Sequence, residues 1–193
     1  MKVVLQLTDL HIFEDAARTM LPIDTKQSFR RVLDKALADD EDWDLIVLSG
    51  DLADLGEEQS YVWLAEQLSG LDIPAIVLPG NHDDRNMMAN YFDCSGSSQL
   101  GSWRITFLDS CIPPSTKGQL ADEQITALAK TLATYPEQPH LVFLHHPPIP
   151  LGSSWMDGMG LTNANLLWDC LDASSARVTL VAGHAHQNFD MYH

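Results

Sequence analysis

Residues 75–83 read AIVLPGNHD, an apolar run of strand length that ends in glycine, asparagine, histidine and aspartate. Four further apolar runs along the chain also end in histidine or aspartate. They are VVLQLT before Asp9-Leu10-His11, DLIVLS before Gly50-Asp51, LVFL before His145-His146 and VTLVA before Gly183-His184-Ala185-His186. Continuous apolar runs of this length predict strands of a sheet that is covered on both faces. The five polar segments are therefore predicted at the carboxyl ends of five strands.

Amphipathic helices are predicted between these strands. For example, Phe29, Val32, Leu33 and Ala36 recur at helical spacing, with Asp24 or Thr25 as the N-cap. The predicted strands are 3–8, 44–49, 75–78, 103–109, 140–144 and 177–182, and the predicted helices are 25–39, 57–69, 85–92, 121–134 and 163–172. This alternation indicates an α/β protein with mostly parallel pairing, in which ligands bind beyond the carboxyl ends of the strands. With 193 residues and no repeat or linker, the chain is predicted to be one domain, 1–193.

The composition argues against several classes of partner. The formal net charge is −16, from 11 Lys and Arg against 27 Asp and Glu. Because polyanions are bound mainly through Lys and Arg, we expect no nucleic acid polymer and no anionic membrane as partner. No signal peptide or transmembrane span is visible, and the three cysteines are widely spaced without a C-x-x-C pair. A reducing cytoplasm is the expected location.

The polar residues at the strand ends are of the types that bind divalent metals. Carboxylate, imidazole and amide oxygen together suit Mn, Fe and Zn. In an extended backbone, Asp9 and His11 project to the same side, as do His184 and His186, so each pair can approach one metal or two adjacent ones. The Asp51 carboxylate can bridge two cations with its two oxygens.

The remaining two segments allow more than one interpretation. Asn81 offers a neutral oxygen ligand, while His82 projects differently and can stand over a substrate. Because adjacent strand residues point to opposite faces, we favour only His145 as a ligand. His146 is then a substrate contact, a residue that supports a ligand, or a histidine whose hydrogen bonds are made by the backbone. Each segment alone also fits an ordinary turn or cap, but five together favour a metal site. Two further features also allow two interpretations. Loop 147–160 either lines the binding site of a nucleobase or is a surface loop. Asn163 is either the N-cap of a helix or a substrate contact.

In their order along the chain, the five segments resemble the calcineurin-like metallophosphoesterase superfamily. Within it they look most like the class III cyclic-nucleotide phosphodiesterase branch, which includes the bacterial 3′,5′-cyclic AMP phosphodiesterases. The stretches that carry this closer likeness are TDLHIF at 8–13, LPGNHD at 78–83, LHHPP at 144–148, SWMD at 154–157, and GQL at 118–120 with Gln124. The resemblance implies a four-layer αββα sandwich. Family members continue past G-H-x-H with further strands, so the second sheet is expected to be incomplete and the domain short at its C-terminus.

The resemblance also implies a set of site residues and cofactors. Two divalent metal ions are expected per chain, Fe and Mn or alternatively Zn. The first would be held by Asp9, His11 and His186, the second by Asn81, His145 and His184, with Asp51 bridging them. His82 would be the catalytic residue that contacts the phosphoryl group and protonates the leaving oxygen. The residues expected to adjoin the substrate are His11, Asp51, Asn81, His82 and His186.

The expected function is hydrolysis of a small-molecule phosphodiester, 3′,5′-cyclic AMP to 5′-AMP, by water that the metals activate. A broad phosphodiesterase or glycerophosphodiesterase of the same superfamily is the main alternative, because the metal centre contacts only the phosphate. A nuclease is disfavoured by the acidic charge. A non-catalytic scaffold would be free to lose ligands, yet every expected position is filled. The sequence leaves a homo-oligomer open.

Overall fold

The computed structural model describes residues 2–15, 17–20, 22–39, 41–94 and 96–192. The chain divides into two compact units, residues 1–94 and 95–193. Each unit contains one sheet and its own helices, so the α/β class predicted from the sequence is confirmed. The single-domain boundary 1–193 stays a prediction.

The first unit contains a parallel three-stranded sheet in the order β1-β2-β3. Its elements are β1 (Val4–Leu7), α1 (Thr25–Ala38), β2 (Leu45–Ser49), α2 (Glu58–Ser69), β3 (Ala75–Leu78) and α3 (Arg85–Met88). In the register of this sheet, Leu7 pairs with Leu48 and Ser49 pairs with Leu78. The carboxyl ends of the three strands therefore lie along one edge, where the polar segments follow.

The core of the first unit is formed by β2 and the apolar faces of two helices. Every residue of β2 is buried. Phe29 and Leu33 of α1, with Tyr61 and Leu64 of α2, belong to the same buried cluster. Burying each large apolar side chain contributes roughly 1.5–3 kcal/mol. Helix α1 begins where expected, because the Asp24 side chain accepts a hydrogen bond from the Gln27 amide at 3.0 Å.

The second unit contains a four-stranded sheet in the order β4-β5-β6-β7. Its elements are β4 (Ser97–Leu100), β5 (Trp103–Leu108), α4 (Asp122–Thr134), β6 (His140–Leu144), α5 (Ser154–Asp157), α6 (Ala164–Asp172) and β7 (Val178–Val181). Strands β5, β6 and β7 are parallel, while β4 pairs with β5 in antiparallel fashion. Leu128, Leu132 and Leu167 of the helices pack with Val142 and Leu144 of β6.

Three details differ from the predicted elements. Strand β4 and the one-turn helix α5 were not predicted, and α3 ends at Met88 rather than near 92. Residues 187–192 are exposed and form no strand. Among the described residues, no helix is both long and apolar enough to span a membrane.

Candidate metal centre

The polar segments that follow β1 and β2 stay paired after the strands end. The Asp9 amide donates to the Gly50 carbonyl at 3.0 Å, and the His11 amide donates to the Asp51 carbonyl at 2.9 Å. The Ile12 amide continues the series to Leu52. Because the parallel strands fix this register, Asp9, His11 and Asp51 are brought to one place by the backbone alone.

Hydrogen bonds to Asp83 connect the G-N-H-D segment to the segment that follows β2. Its buried carboxylate accepts hydrogen bonds from the amides of Leu52, Ala53 and Gly80 at 3.1, 2.9 and 2.8 Å. The Tyr61 hydroxyl donates to the same carboxylate at 3.0 Å. Burial raises the pKa of Asp83 to about 6, while its backbone hydrogen bonds act in the opposite direction. Asp83 is therefore a structural carboxylate that positions the loop around it.

Five candidate ligands have a left-handed backbone. Among the described residues other than glycine, positive φ occurs only at these five, with values from 45° to 65°. They are Asp9, His11, Asp51, His184 and His186. The expectation that the D-x-H and H-x-H pairs lie in extended backbone was wrong. Left-handed conformation costs a non-glycine residue roughly 1–3 kcal/mol and is concentrated at functional sites, because only surrounding structure can hold it.

Asp9, His11 and Asp51 form a ligand group within the first unit. One potential ligand atom from each lies within 4.8 Å of the others. The His11 Nε2 atom is 3.7 Å from an Asp51 carboxylate oxygen, and both side chains are almost completely buried. The half-buried Asp9 carboxylate and the buried Asp51 carboxylate beside an imidazole favour binding of a cation, which offsets their charge.

Asp54 is a functional residue that sequence reasoning missed. Its carboxylate accepts a hydrogen bond from Nδ1 of His11 at 3.1 Å. A carboxylate can only accept here, so Nδ1 carries the hydrogen and Nε2 is left as the basic nitrogen that can face a metal. The spacing of Asp51 and Asp54 within one polar segment was the available signal, but nothing in the sequence pairs Asp54 with His11.

Gly80 and Asn81 show why the G-N-H-D segment needs these residue types. A Cβ atom at Gly80 would lie 2.1 Å from the Asp51 carboxylate, so no larger residue fits. The Oδ1 atom of Asn81 is buried and has no hydrogen-bond partner among the described residues. A buried amide oxygen without a partner is costly, and coordination of a cation would satisfy it. Asn81 therefore fits its predicted role as a neutral metal ligand.

His82 differs from His11, His145 and His184 in its exposure, because those three candidate ligands are buried. Its side chain is 38% exposed, whereas that of His11 is 4% exposed. Its Nδ1 atom lies 2.7 Å from the Asp54 carbonyl oxygen, which can only accept, so Nδ1 carries a hydrogen. Its ring stands edge-on to that of His11, with centroids 4.8 Å apart. The hydrogen bond to Asp54 thus engages Nδ1 of His82 and leaves Nε2 as its second ring nitrogen.

The second unit contributes His145 and His184, which lie within reach of one another. Potential ligand atoms of the two side chains are within 4.8 Å, and both residues are buried. The Gly183 amide donates to the His145 carbonyl at 3.0 Å, so the ends of β6 and β7 stay paired past the strands. His186 follows in the same segment and is exposed.

Asn163, for which the sequence left two roles open, and Gln124 both make hydrogen bonds to the backbone. Asn163 does not cap α6 through its side chain. Its amide group instead pairs with the backbone of Leu120 in both directions, at 3.0 and 2.8 Å. Gln124 makes the same double contact with the backbone of Asp109. In loop 147–160, the Trp155 side chain is 72% exposed, which leaves both interpretations of that loop possible.

The donor atoms of these side chains are of the types that bind divalent metal ions. The carboxylates of Asp9 and Asp51, the imidazole nitrogens and the neutral amide oxygen of Asn81 suit borderline divalent cations. A model of the calcineurin-like phosphoesterase family matches residues 2–188. The chain belongs to this family. Its membership, together with these ligand clusters, supports a metal cofactor and confirms the prediction of a hydrolytic enzyme.

Curated relatives cover almost the whole chain. A 3′,5′-cyclic adenosine monophosphate phosphodiesterase from Pseudomonas aeruginosa is 34% identical over 191 residues, covering 97% of this chain and 70% of the relative. A glycerophosphodiester phosphodiesterase from Enterobacter lignolyticus is 32% identical over 158 residues, covering 74% of this chain and 56% of the relative. The recognised superfamily is therefore confirmed.

A solved structure has a similar fold. The crystal structure of a dimetal phosphatase from Danio rerio aligns with 95% of this chain and 81% of its own, with a TM-score of 0.65 and 13% identity. At this identity the likeness concerns the fold alone, and it agrees with the α/β class and the two sheets.

Proposed function

We propose that this protein hydrolyses 3′,5′-cyclic AMP to 5′-AMP, with two divalent metal ions as cofactors. The observation that carries the choice of substrate is the 34% identity, over 97% of the chain, to a protein named as a cyclic AMP phosphodiesterase. Phosphoester chemistry is supported independently by the ligand clusters of each unit. The widely spaced cysteines favour the cytoplasm as the place of reaction.

The proposed ligands follow the order of the motifs. Asp9, His11 and His186 would hold one ion, Asn81, His145 and His184 the other, and Asp51 both. Two observations support this assignment. Potential ligand atoms lie close together in each unit, those of Asp9, His11 and Asp51 in the first and those of His145 and His184 in the second. The side-chain oxygen of Asn81 is buried without a hydrogen-bond partner among the described residues. When bound, two such ions would neutralise charge on a phosphodiester and lower the pKa of water, so that hydroxide is available to attack phosphorus near neutral pH. Iron and manganese are the proposed metals, with zinc as the alternative.

The residues of the chain have separate tasks in the reaction. Asp54 holds His11 by its Nδ1 atom, and this leaves Nε2 for coordination. The Asp54 carbonyl holds His82 in the same way, so a protonated His82 presents an Nε2 hydrogen to the substrate. In the cyclic diester, the bond from phosphorus to the 3′ oxygen would break as a new bond forms to the water oxygen, which gives up a proton to the solvent. The 3′ oxygen would take its proton from His82, which the solvent then protonates again.

A glycerophosphodiester is the second candidate substrate. It is favoured by the 32% identity to the glycerophosphodiester phosphodiesterase from Enterobacter lignolyticus. The same ligands and the same His82 would serve both substrates, because they address only the phosphate.

A substrate panel tests the proposal. Protein purified without chelator and supplied with Mn²⁺ is assayed with cyclic AMP, cyclic GMP, glycerophosphocholine and bis(p-nitrophenyl) phosphate. We expect the highest kcat/KM for cyclic AMP and complete loss of activity with excess chelator. A higher value for glycerophosphocholine would support the second candidate. No hydrolysis of any diester, with fewer than one bound metal per chain, would contradict both and favour a scaffold.

A further inference from the structure

His146 is the one residue of the histidine motifs to which the proposed function assigns no task. It follows His145 directly, and both residues are completely buried. Burial of His146 argues against the direct substrate contact that the sequence left open. Its surroundings in the second unit show what it does instead.

Ser110 fixes the ring of His146 by two hydrogen bonds. The backbone amide of His146 donates to the Ser110 Oγ atom at 3.2 Å, so that oxygen accepts there. The same Oγ atom lies 2.8 Å from Nδ1 of the His146 ring. The Ser110 side chain is completely buried, and its hydroxyl can donate to Nδ1, which would place the ring hydrogen of a neutral His146 on Nε2.

This tautomer separates His146 from its neighbour in chemistry. With Nδ1 as an acceptor and the ring hydrogen on Nε2, neither nitrogen of His146 would be a metal ligand, in keeping with the choice of His145 made from the sequence.

The ring of His146 packs against both ligand histidines of the second unit. It is edge-on to the His145 ring, with centroids 5.0 Å apart and an interplanar angle of 84°. It is tilted against the His184 ring at 4.8 Å and 45°. The His145 and His184 rings are themselves 5.1 Å apart. Three rings in mutual contact leave each little freedom to rotate, so the angle of one depends on the others.

Gly118 closes the other side of the His146 ring. A Cβ atom at Gly118 would lie 2.4 Å from Cγ of His146, so the backbone touches the ring directly. Gly118 is itself anchored, because its carbonyl accepts hydrogen bonds from the amide and the hydroxyl of Thr162 at 2.8 and 2.7 Å. Ser110 and Gly118 therefore hold the ring from two directions.

We propose that His146 is a positioning residue, which Ser110 and Gly118 hold in the Nε2–H tautomer and which sets the ring orientation of His145 and His184. This role rests on the proposed function, since it matters for metal binding only if His145 and His184 are ligands. Groups that orient metal ligands typically change metal affinity by 10–100-fold when they are removed.

The test compares Ser110→Ala with Thr106→Val. Thr106 lies on β5 of the same unit, and its buried hydroxyl has no hydrogen-bond partner among the described residues, so its loss breaks no such contact. In metal-free protein, ¹⁵N NMR should show wild-type His146 with hydrogen on Nε2. Ser110→Ala should mix the two tautomers and shift the ring signals of His145 and His184, whereas Thr106→Val should not.

Mn²⁺ titration of the same proteins supplies the second measurement. We expect the affinity of one of two Mn²⁺ sites to fall about tenfold or more in Ser110→Ala and to stay unchanged in Thr106→Val. A wild-type His146 with hydrogen on Nδ1, or unchanged ring signals and Mn²⁺ affinity in Ser110→Ala, would overturn the inference. Failure of the wild type to bind Mn²⁺ would instead overturn the proposed function, and the metal-free ring signals would then decide the inference alone.

Discussion

The Asp54 carboxylate accepts a hydrogen bond from Nδ1 of His11 at 3.1 Å. This contact leaves Nε2 of His11 as the nitrogen that can coordinate a metal, so under the proposed function Asp54 would position the ligand His11 without being a ligand itself. We expect Asp54→Ala to lower Mn²⁺ affinity about 10–100-fold, with the fold retained. Calorimetric titration with Mn²⁺ measures the affinity, and circular dichroism checks the fold.

Glu57→Ala is the matched control for Asp54→Ala. Glu57 and Asp54 both lie near the guanidinium group of Arg18, at 3.7 and 4.0 Å, but only Asp54 forms an ion pair with His11. The control should bind Mn²⁺ like the wild type. If both variants lost Mn²⁺ affinity equally, the cause would be the contact with Arg18, and Asp54 would have no role in positioning His11.

The exposed His82 gives a second prediction. His82→Ala should lower kcat for cyclic AMP by about 10²–10⁴-fold, because the 3′ oxygen is a poor leaving group without a proton. The loss should be much smaller with bis(p-nitrophenyl) phosphate, whose p-nitrophenolate leaves without protonation. Metal content, measured by elemental analysis, should match that of the wild type. Loss of metal would make His82 a ligand, and equal losses on both substrates would exclude the acid role.

Gly80 gives a prediction about stability. Gly80→Ala would place a methyl group 2.1 Å from the Asp51 carboxylate, and the displaced loop should cost about 1–3 kcal/mol or more in unfolding free energy. Gly70→Ala, where a Cβ atom meets nothing within 4 Å, should change stability by at most about 0.5 kcal/mol. Urea denaturation of metal-free protein compares the two. Similar stabilities would mean that the approach of Gly80 to Asp51 is not required by the fold.

Asp83 tests how the first unit holds its loops together. In Asp83→Asn, an NH₂ group would face backbone amides that now donate to a carboxylate oxygen, and the unfolding free energy should fall by about 1–3 kcal/mol. Asp72→Asn, at an exposed aspartate, controls for the change in charge. Thermal unfolding of both variants without metal measures the difference. A loss no greater than that of the control would show that Asp83 does not stabilise the segment.

The sequence predicted those parts of the fold that depend on local pattern. β2 is a continuous apolar run, and it forms a fully buried strand. β4 was missed because its sequence, SSQL, is polar and half exposed, and its place in the sheet comes from antiparallel pairing with β5. The pairing is made possible by Gly101, whose φ of 62° permits the tight turn.

The sequence predicted the candidate ligands of the site, but not the residues that hydrogen-bond to them or to their neighbours. Asp9, His11 and Asp51 follow strands whose register brings them together, so their order along the chain was sufficient. Asp54 and Ser110 were missed because their partners, His11 and His146, are 43 and 36 residues away. The left-handed backbone at the candidate ligands was also missed, since only a few per cent of non-glycine residues adopt it, although Asp and His do so more often than most.

The central claim of the proposed function is that the strand-end motifs bind two metal ions. A crystal structure with Mn²⁺, with anomalous scattering recorded at the manganese edge, tests it most directly. The proposed function predicts two anomalous peaks per chain, both in contact with Asp51, the first bound by Asp9, His11 and His186 and the second by Asn81, His145 and His184. A single peak, or peaks away from these residues at saturating Mn²⁺, would contradict it.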